Sequence, residues 1–371
     1  MDLQMAQKKR IRDRLFPEGG KIRSYLRTTN RFVKSMFSID YLKEQKNKIK
    51  EKGWRVTWIE MKRYMVMGTA AEPENLYQIW IEKNEPTKEE LQEQKNTKFK
   101  INPKISIIIP MYNTPVNFFE ELVDNLIGQT YSNWELCLAD GSPEENKELE
   151  KIYKKDERIK YKFIGENKGI AGNTNEALSL VTGDFVALLD HDDLLPLFSL
   201  YEIVKCINEN PDAEFIYTDE DKLSMDGEFY FEPHFKSDYN LFRLRDNNYI
   251  CHIFVVKKAL VNQVGGLRPE FDGSQDYDFI LRCCEQAKQV IHIPKVLYHW
   301  RCHMNSVAAN PESKTYAYEA GCRAIQEHYR RVGIEAEVEM TKHPGWYRSH
   351  VKIQGEPLVS IIIPNKDHID D

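Results

Sequence analysis

The stretch Gly183-Asp184-Phe185-Val186-Ala187-Leu188-Leu189-Asp190-His191-Asp192-Asp193 constrains the fold more than any other. An apolar run from Phe185 to Leu189 stops abruptly at three carboxylates in four positions. A run of that kind, apolar without alternation, reads as a strand covered on both faces, as in a parallel sheet. Carboxylates just past its C-terminal end stand on the rim where open α/β sheets bind ligands. So close together, they repel one another unless a cation or a cationic group holds them. Hard oxygen ligands favour Mg²⁺ or Mn²⁺. Taken alone, the same turn would also serve as a solvated strand-to-helix connection, with Asp193 capping a helix that begins near Pro196.

The flanking sequence repeats the pattern. Lys104-Ile105-Ser106-Ile107-Ile108-Ile109-Pro110 is a β-branched run ended by proline, hence a buried strand. An apolar-periodic helix over about 116–128 follows, then a strand Trp134–Ala139 that stops at Asp140-Gly141-Ser142. A helix near 144–155, a strand at Tyr161–Ile164 and a glycine-containing turn Asn167–Asn173 lead into a helix through Leu180. With 185–189 as the fourth strand, the order is β-α-β-α-β-α-β, a parallel sheet wrapped by helices. Neither G-x-G-x-x-G nor G-x-x-x-x-G-K-[ST] occurs, which argues against a dinucleotide oxidoreductase and a P-loop kinase. Beyond Asp193 the pattern predicts a helix at 197–208 and a strand Phe215–Thr218 running into Asp219-Glu220-Asp221-Lys222. Residues 223–250, which include His234 and Lys236, have little periodicity and read as a substrate-facing segment or lid. A helix near 257–264, a helix 279–287 preceded by Gln275-Asp276-Tyr277-Asp278, a strand-like 290–299 ending in Tyr298-His299-Trp300-Arg301, and a helix 315–331 complete the core region.

Composition limits the setting. Of 371 residues, 30% are charged and 41% hydrophobic, an ordinary globular balance. No apolar stretch approaches the roughly 20 residues that cross a bilayer, and the N-terminus lacks the apolar core of a secretory signal. Seven cysteines without metal-like spacing suit a reducing compartment, so a cytoplasmic location is expected. The net charge of −6 conceals an asymmetry: residues 1–50 hold 14 Lys and Arg against 5 Asp and Glu. A basic arm on an acidic body suits an anionic partner, a membrane surface or a protein, and places the chain at the inner face of the plasma membrane if that surface is lipid. Nucleic acid is not expected, since no recognition motif accompanies the basic residues. Residues 1–52 resemble two or three short amphipathic helices, with peripheral membrane contact as one use of them. Trp54, Trp58, Tyr64, Tyr77 and Trp80 are too many aromatics for a linker and are expected to pack on the main domain, while 83–100 reads as a helix-bearing connector. The expected partition is a basic helical and aromatic region 1–100, an α/β domain 101–340, and 341–371 as a linker. Its Leu358-Val359-Ser360-Ile361-Ile362-Ile363-Pro364 echoes the run at 104–110 and is expected to open a second, truncated copy of the domain.

Seven pieces, in order over about 104–310, carry a resemblance. They are Ser106-Ile107-Ile108-Ile109-Pro110-Met111-Tyr112-Asn113, Gln129-Thr130-Tyr131, Asp140-Gly141-Ser142, Asn167-Lys168-Gly169-Ile170, Leu189-Asp190-His191-Asp192-Asp193, Gln275-Asp276-Tyr277-Asp278 and Tyr298-His299-Trp300-Arg301. Together they resemble the family-two inverting glycosyltransferases of GT-A fold, of the type that builds bacterial cell-surface polysaccharides. The resemblance implies a mostly parallel central sheet and transfer of a hexose or deoxyhexose from a nucleoside-diphosphate sugar, UDP- or dTDP-linked ahead of GDP-linked, to a glycan or lipid-linked glycan hydroxyl. It implies Asp140 on the nucleotide base, Pro110 and Tyr112 lining the base pocket, and Asp190 on the ribose and, with Asp192, on a Mn²⁺ or Mg²⁺ at the diphosphate. His299 would complete the metal shell or touch the diphosphate, and Arg301 would pair with phosphate. Asp276 would be the base that deprotonates the acceptor, with Asp278 a structural neighbour. The turn Asn167–Asn175 would approach the donor, and Asp219–Lys222, His234 and Lys236 would contact the acceptor or order a lid. The family often has two aspartates where this chain has Ala139-Asp140, and the resemblance does not reach residues 1–100.

Two other readings stay open. A nucleotidyltransferase on a similar sheet would want a Gly-rich loop with Arg and Lys after the first strand, and Met111-Tyr112-Asn113-Thr114-Pro115 offers none. A transferase-derived, non-catalytic glycan-binding or scaffold domain would more naturally have lost one of Asp140, Asp192 or Asp276.

Overall fold

The structure, a computed structural model, describes residues 74–225, 227, 229–302 and 315–364. The basic arm 1–52, Trp54, Trp58 and Tyr64 lie outside the described residues. The chain divides into two compact units, Met1–Asn84 and Glu85–Asp371. The described part of the first is helix α1 (Glu74–Asn84).

In the second unit, α2 (Lys88–Asn96) is the helix of the expected connector. Thr87 starts it with a capping box, its hydroxyl accepting from the Glu90 amide while the Glu90 carboxylate accepts from the Thr87 amide. Then come β1 (Ile105–Met111), α3 (Val116–Ile127), β2 (Trp134–Asp140), α4 (Lys147–Tyr153), β3 (Ile159–Phe163), α5 (Gly169–Leu178) and β4 (Phe185–Leu188). The second half runs α6 (Ser199–Glu209), β5 (Phe215–Leu223), β6 (Tyr230–His234), α7 (Leu241–Asp246), β7 (Phe254–Lys257), α8 (Lys258–Val264), a 3₁₀ turn Pro269–Phe271, α9 (Gln275–Gln286) and β8 (Val290–Arg301). Helix α10 (Thr315–Arg331) and a hairpin of β9 (Ala336–Met340) and β10 (Tyr347–Val351) follow.

Among the described residues one eight-stranded sheet has the order β3-β2-β1-β4-β7-β5-β6, with β8 also paired to β5. The first four strands are mutually parallel, as expected. β7 is antiparallel to both β4 and β5, and β8 runs parallel to β5. Side chains of β1 alternate between two cores because a strand's period is two. Ile105, Ile107 and Ile109 face α3 and α6 (Phe119, Leu122, Leu200, Ile203), whereas Ile108 faces α5, α9 and α10 (Ala171, Ile280, Ala324). That double burial is why the run is apolar at every position. Each of these isoleucines, almost wholly removed from water, stabilises the fold by about 1.5–3 kcal/mol relative to an exposed one.

Three expectations differ from the structure. Residues 223–250 contain β6 and α7, because β6 folds back on β5 with Lys222 opposite Phe231. The segment before α8 contains the short strand β7, whose pairing with β4 and β5 involves partners about 40–70 residues away and leaves no local signature. Residues 358–363 form no strand: with no neighbouring strand among the described residues, Leu358, Ile361 and Ile362 are almost fully exposed. No described helix is long and apolar enough to cross a membrane.

Candidate active site

β1 is the point where strand order reverses, with β2 and β3 on one side and β4 on the other. Crevices at such points, outside the C-terminal strand ends, are where open α/β sheets bind ligands. Met111 pairs with Asp140 and Ile108 with Leu188, so the strand ends leading to Tyr112, Asp140 and Asp190 open on one rim. Pro110 is partly exposed there and Tyr112 more so. Asp140 itself is buried. Its Oδ1 accepts from the Ser142 amide (2.9 Å) and hydroxyl (2.5 Å), and its Oδ2 from the Tyr161 hydroxyl (2.9 Å). Ser142 Oγ in turn accepts from the Asn113 amide at 2.8 Å, tying the loops after β1 and β2 together.

The three carboxylates after β4 have separate fates. The Asp190 side chain is half exposed, and Asp192 is partly so. Asp193 points inward, where its Oδ1 accepts from the Arg301 amide (2.7 Å) and its Oδ2 from the Tyr298 hydroxyl. Burial, with Asp190 and Asp192 close by, pushes the Asp193 carboxyl far above the usual range, against the pull of those two hydrogen bonds. Asp193 is therefore an internal post, and Asp190 and Asp192 are the pair left to face a ligand.

The end of β8 holds that loop. His299 exchanges backbone hydrogen bonds with Leu194 (2.9 and 3.2 Å), and Arg301 donates from Nε to the Asp192 carbonyl (2.7 Å). The buried Arg301 guanidinium also donates to the Met225 carbonyl (3.3 Å) and to Glu121 Oε2 (2.9 Å). It is committed to the loop's backbone. His299 is buried beneath the Tyr230 ring, 4.2 Å between centroids, with its Nδ1 at 2.6 Å from Asp221 Oδ1. Among the described residues no three His, Cys, Asp or Glu side chains are grouped closely enough to hold a metal ion, so Asp190, Asp192 and His299 do not form a protein-only cage. Two accessible carboxylates do fit the manner in which Mg²⁺ and Mn²⁺ bind beside a diphosphate, with phosphate oxygens and water completing the shell.

Facing the acid loop is the N-terminus of α9. Asp276 lies in its first turn, where backbone amides of the helix end stabilise the carboxylate. Asn248 Nδ2 donates to Asp276 Oδ2 at 2.9 Å. Burial raises the Asp276 pKa, partly offset by His252 and the amides, and the charge of Asp190 raises it further. Asp278, by contrast, is wholly buried between Arg268 and Arg282, with Nε–Oδ2 distances of 3.0 and 2.9 Å, and serves the helix packing.

Sequence reasoning missed His252, Asn248 and Asp272. His252 lies with its Nε2 4.0 Å from Asp190 Oδ2 and its ring stacked on Tyr298, 5.0 Å between centroids and 14° between planes. Asn248 and His252 belong to a loop anchored from below by Lys236, whose side chain is fully buried. Lys236 Nζ donates to the carbonyls of Ile250 and His252 (2.5 Å each) and to Glu220 Oε2 (3.0 Å), which also accepts from the His252 amide (3.2 Å). Asp219 accepts from the Lys236 amide (2.8 Å) and lies 2.8 Å from His292 Nε2. Asp219, Glu220, Asp221 and Lys236 thus form a buried support, with the partly exposed His234 at 3.4 Å from Glu220. The only local signal of His252 is an imidazole between apolar neighbours, which a core residue would also give.

Asp272 ties the turn Asn167–Asn173 to the α9 entrance. Its Oδ1 accepts from the Ala171 amide at 3.0 Å near the start of α5. Gly169, at φ +77°, passes so close that a β-carbon there would collide with the Asp272 carboxylate. Asn167 and Asn173 close the turn on themselves, Asn167 Oδ1 accepting from the Gly169 amide (3.0 Å) and Asn173 Oδ1 from the Lys168 amide (3.1 Å).

Residues 106–264 match the model of the family described as Glycosyl transferase family 2. Protein y4gI of Sinorhizobium fredii is 43% identical over 274 residues, covering 72% of this chain and 30% of that protein. The O-antigen biosynthesis protein RfbC of Myxococcus xanthus is 33% identical over 297 residues, covering 79% of this chain and 23% of that protein. The chain thus spans less than a third of the length of these two relatives. Among solved structures, S. aureus TarS 1-349 in complex with UDP-GlcNAc aligns over 61% of this chain and 66% of that one, at 20% identity and a TM-score of 0.49.

Proposed function

The chain belongs, through residues 106–264, to glycosyltransferase family 2, and on that premise we propose that it moves a sugar from a nucleoside-diphosphate sugar to a glycan hydroxyl, with inversion at the anomeric carbon. The observation that carries this reading is that one loop reaches both acidic stations: Asn248 donates to Asp276 Oδ2 at 2.9 Å and His252 Nε2 lies 4.0 Å from Asp190 Oδ2. A donor laid across the rim would have its diphosphate at Asp190 and Asp192 and its anomeric carbon toward Asp276. Asp140 has about one of its four acceptor positions left after Ser142 and Tyr161, and a base N–H would take it, with Pro110 and Tyr112 along the pocket wall. Arg301 is assigned to holding the loop and not to phosphate, since its guanidinium is already spanned by two carbonyls and Glu121.

Asp190 and Asp192 would hold the Mn²⁺ or Mg²⁺. When bound, the cation neutralises charge on the departing nucleoside diphosphate. His299, its Nδ1 engaged by Asp221, supports the loop through its backbone. Asp276, its pKa raised by burial, is suited to take the proton of the acceptor hydroxyl as that oxygen attacks. Asn248 fixes the carboxylate's orientation through Oδ2. The name of the Myxococcus relative supports a cell-surface polysaccharide as the product class, and a lipid-linked glycan is the corresponding acceptor class.

Calorimetric titration of UDP, dTDP and GDP with and without Mn²⁺, on this chain and on Asp192→Ala, tests the donor site. Metal-dependent binding of one nucleotide that disappears in the variant is the expected result. A folded wild-type chain that binds none of them under any metal condition sinks the reading.

A further inference from the structure

We propose that His252 contacts the transferred sugar of the donor, reading one of its hydroxyls together with Asp190; this rests on the donor site proposed above. The separation of the two side chains is the first support. At 4.0 Å, Nε2 and Oδ2 are too far apart for a hydrogen bond to each other, yet one hydroxyl oxygen at about 2.8 Å from each would bridge them. Such an oxygen would donate to Asp190 and accept from the Nε2–H of His252.

The second support is how firmly the imidazole is placed. Its ring is stacked on Tyr298, which is itself pinned to Asp193. Its amide is held by Glu220 and its carbonyl by the buried Lys236. The residue before it, Cys251, has φ +44°, a left-handed conformation disfavoured for a side chain with a β-carbon. Among the described residues, Nδ1 has no hydrogen-bond partner although it is buried. A merely structural histidine would be expected to satisfy that nitrogen. Here the surroundings restrain the ring's plane and backbone while leaving Nε2 on the side of Asp190.

The third support is position. Asp190 flanks the proposed diphosphate site, and Asn248, four residues before His252 on the same loop, donates to Asp276, the proposed base. A sugar joined to the diphosphate at one end and attacked at its anomeric carbon from the Asp276 side must occupy the space between them. His252 borders that space, so its partner is the sugar ring and not the nucleotide.

The experiment compares, on the full chain with Mn²⁺, binding of UDP, dTDP and GDP with binding of UDP-glucose, dTDP-rhamnose and GDP-mannose, for wild type, His252→Ala and His252→Gln. The expected result is that His252→Ala keeps its affinity for the free nucleotide within about twofold. For the corresponding nucleotide sugar it loses about tenfold, the usual scale of one hydrogen bond. Gln, whose amide N–H reaches roughly as far as Nε2, recovers most of that loss; an equal melting temperature for His252→Gln and wild type confirms the fold. Equal weakening of nucleotide and nucleotide sugar overturns the proposal in favour of a diphosphate contact or a packing role, and no weakening of either overturns it outright. If wild type binds a nucleotide but gains nothing from the attached sugar, the sugar contact fails while the donor-site reading survives. If wild type binds no nucleotide at all, both fail.

Discussion

The two halves of the catalytic unit place their acidic residues by different means. From β1 to α6 the sheet is parallel, its inner strands β1, β2 and β4 are apolar, and Asp140 and Asp190 are positioned by standing at the end of a buried strand or just past it. From β5 to β8 the strands are mixed in direction, and the carboxylates of Asp219, Glu220 and Asp221 turn inward to His292, Lys236 and His299. The first half brings Asp190 and Asp192 to the rim through strand packing, and Arg301 at the end of β8 then fastens their loop. The second half uses buried charge to hold a loop, and that loop aims Asn248 and His252. Packing tolerates small losses gradually, whereas a buried ion pair fails steeply when one member is removed.

The largest effect tests what both halves serve. Asp276→Asn keeps the size of the side chain and its contact with Asn248 but removes the proposed base, so transfer of sugar from donor to acceptor should fall about 10²–10⁴-fold with the melting curve little changed. Lys236→Met, which leaves Glu220 buried without its cation, should cost about 3–5 kcal/mol in denaturant unfolding and should release the 248–253 loop. A loss below about 1 kcal/mol would show that the second half is held by packing after all.

The same pair predicts a pH dependence. Burial alone would raise the Glu220 carboxyl, but Lys236 and His234 beside it bring it down from 4.5 to about 2. Its contribution is thus present in full above pH 4.5 and is lost as the pH falls toward 2, on the order of 3 kcal/mol in all. Urea unfolding between pH 6 and pH 3 should show this decline in wild type and a flatter slope in Lys236→Met. In the first half, Ile108→Val removes one buried methylene and should cost about 1 kcal/mol with no change in that pH slope. The smallest effect expected is at the exposed pair of Lys155 with Glu120, 2.9 Å apart: Lys155→Ala should change stability by less than about 0.5 kcal/mol.

Legibility in the sequence divides along the same line. Ile105–Met111, Trp134–Asp140 and Phe185–Leu188 are visible because strands buried on both faces must be apolar throughout, and their ends then mark Asp140 and Asp190. Asp276 is visible by its place before an apolar helix, within a motif shared with a family. His252 and Asn248 are not, because what makes them part of the site is Lys236 and Glu220, drawn from other segments and recognisable only as ordinary charged residues. Asp272 is hidden for the same reason, since its partner Ala171 lies 101 residues away. Arg301 illustrates the converse: its place in the motif is legible, but a guanidinium near a proposed phosphate site suggests an ion pair with the ligand, whereas in the fold the carbonyls of Asp192 and Met225 accept from it.

The clamp between β8 and the acid loop also orders events in time. Asp193 finds its hydrogen-bonding partner 108 residues later, at Arg301, and contacts of such separation close late because the intervening chain must first give up its freedom. During synthesis β1 to β4 can pair as soon as they emerge, but the two ligand-facing aspartates stay on an unfastened loop until β8 has joined β5. Competence to bind a donor would therefore arrive as one of the last steps of folding, and a nascent chain halted before residue 290 would have most of the parallel sheet without a working site.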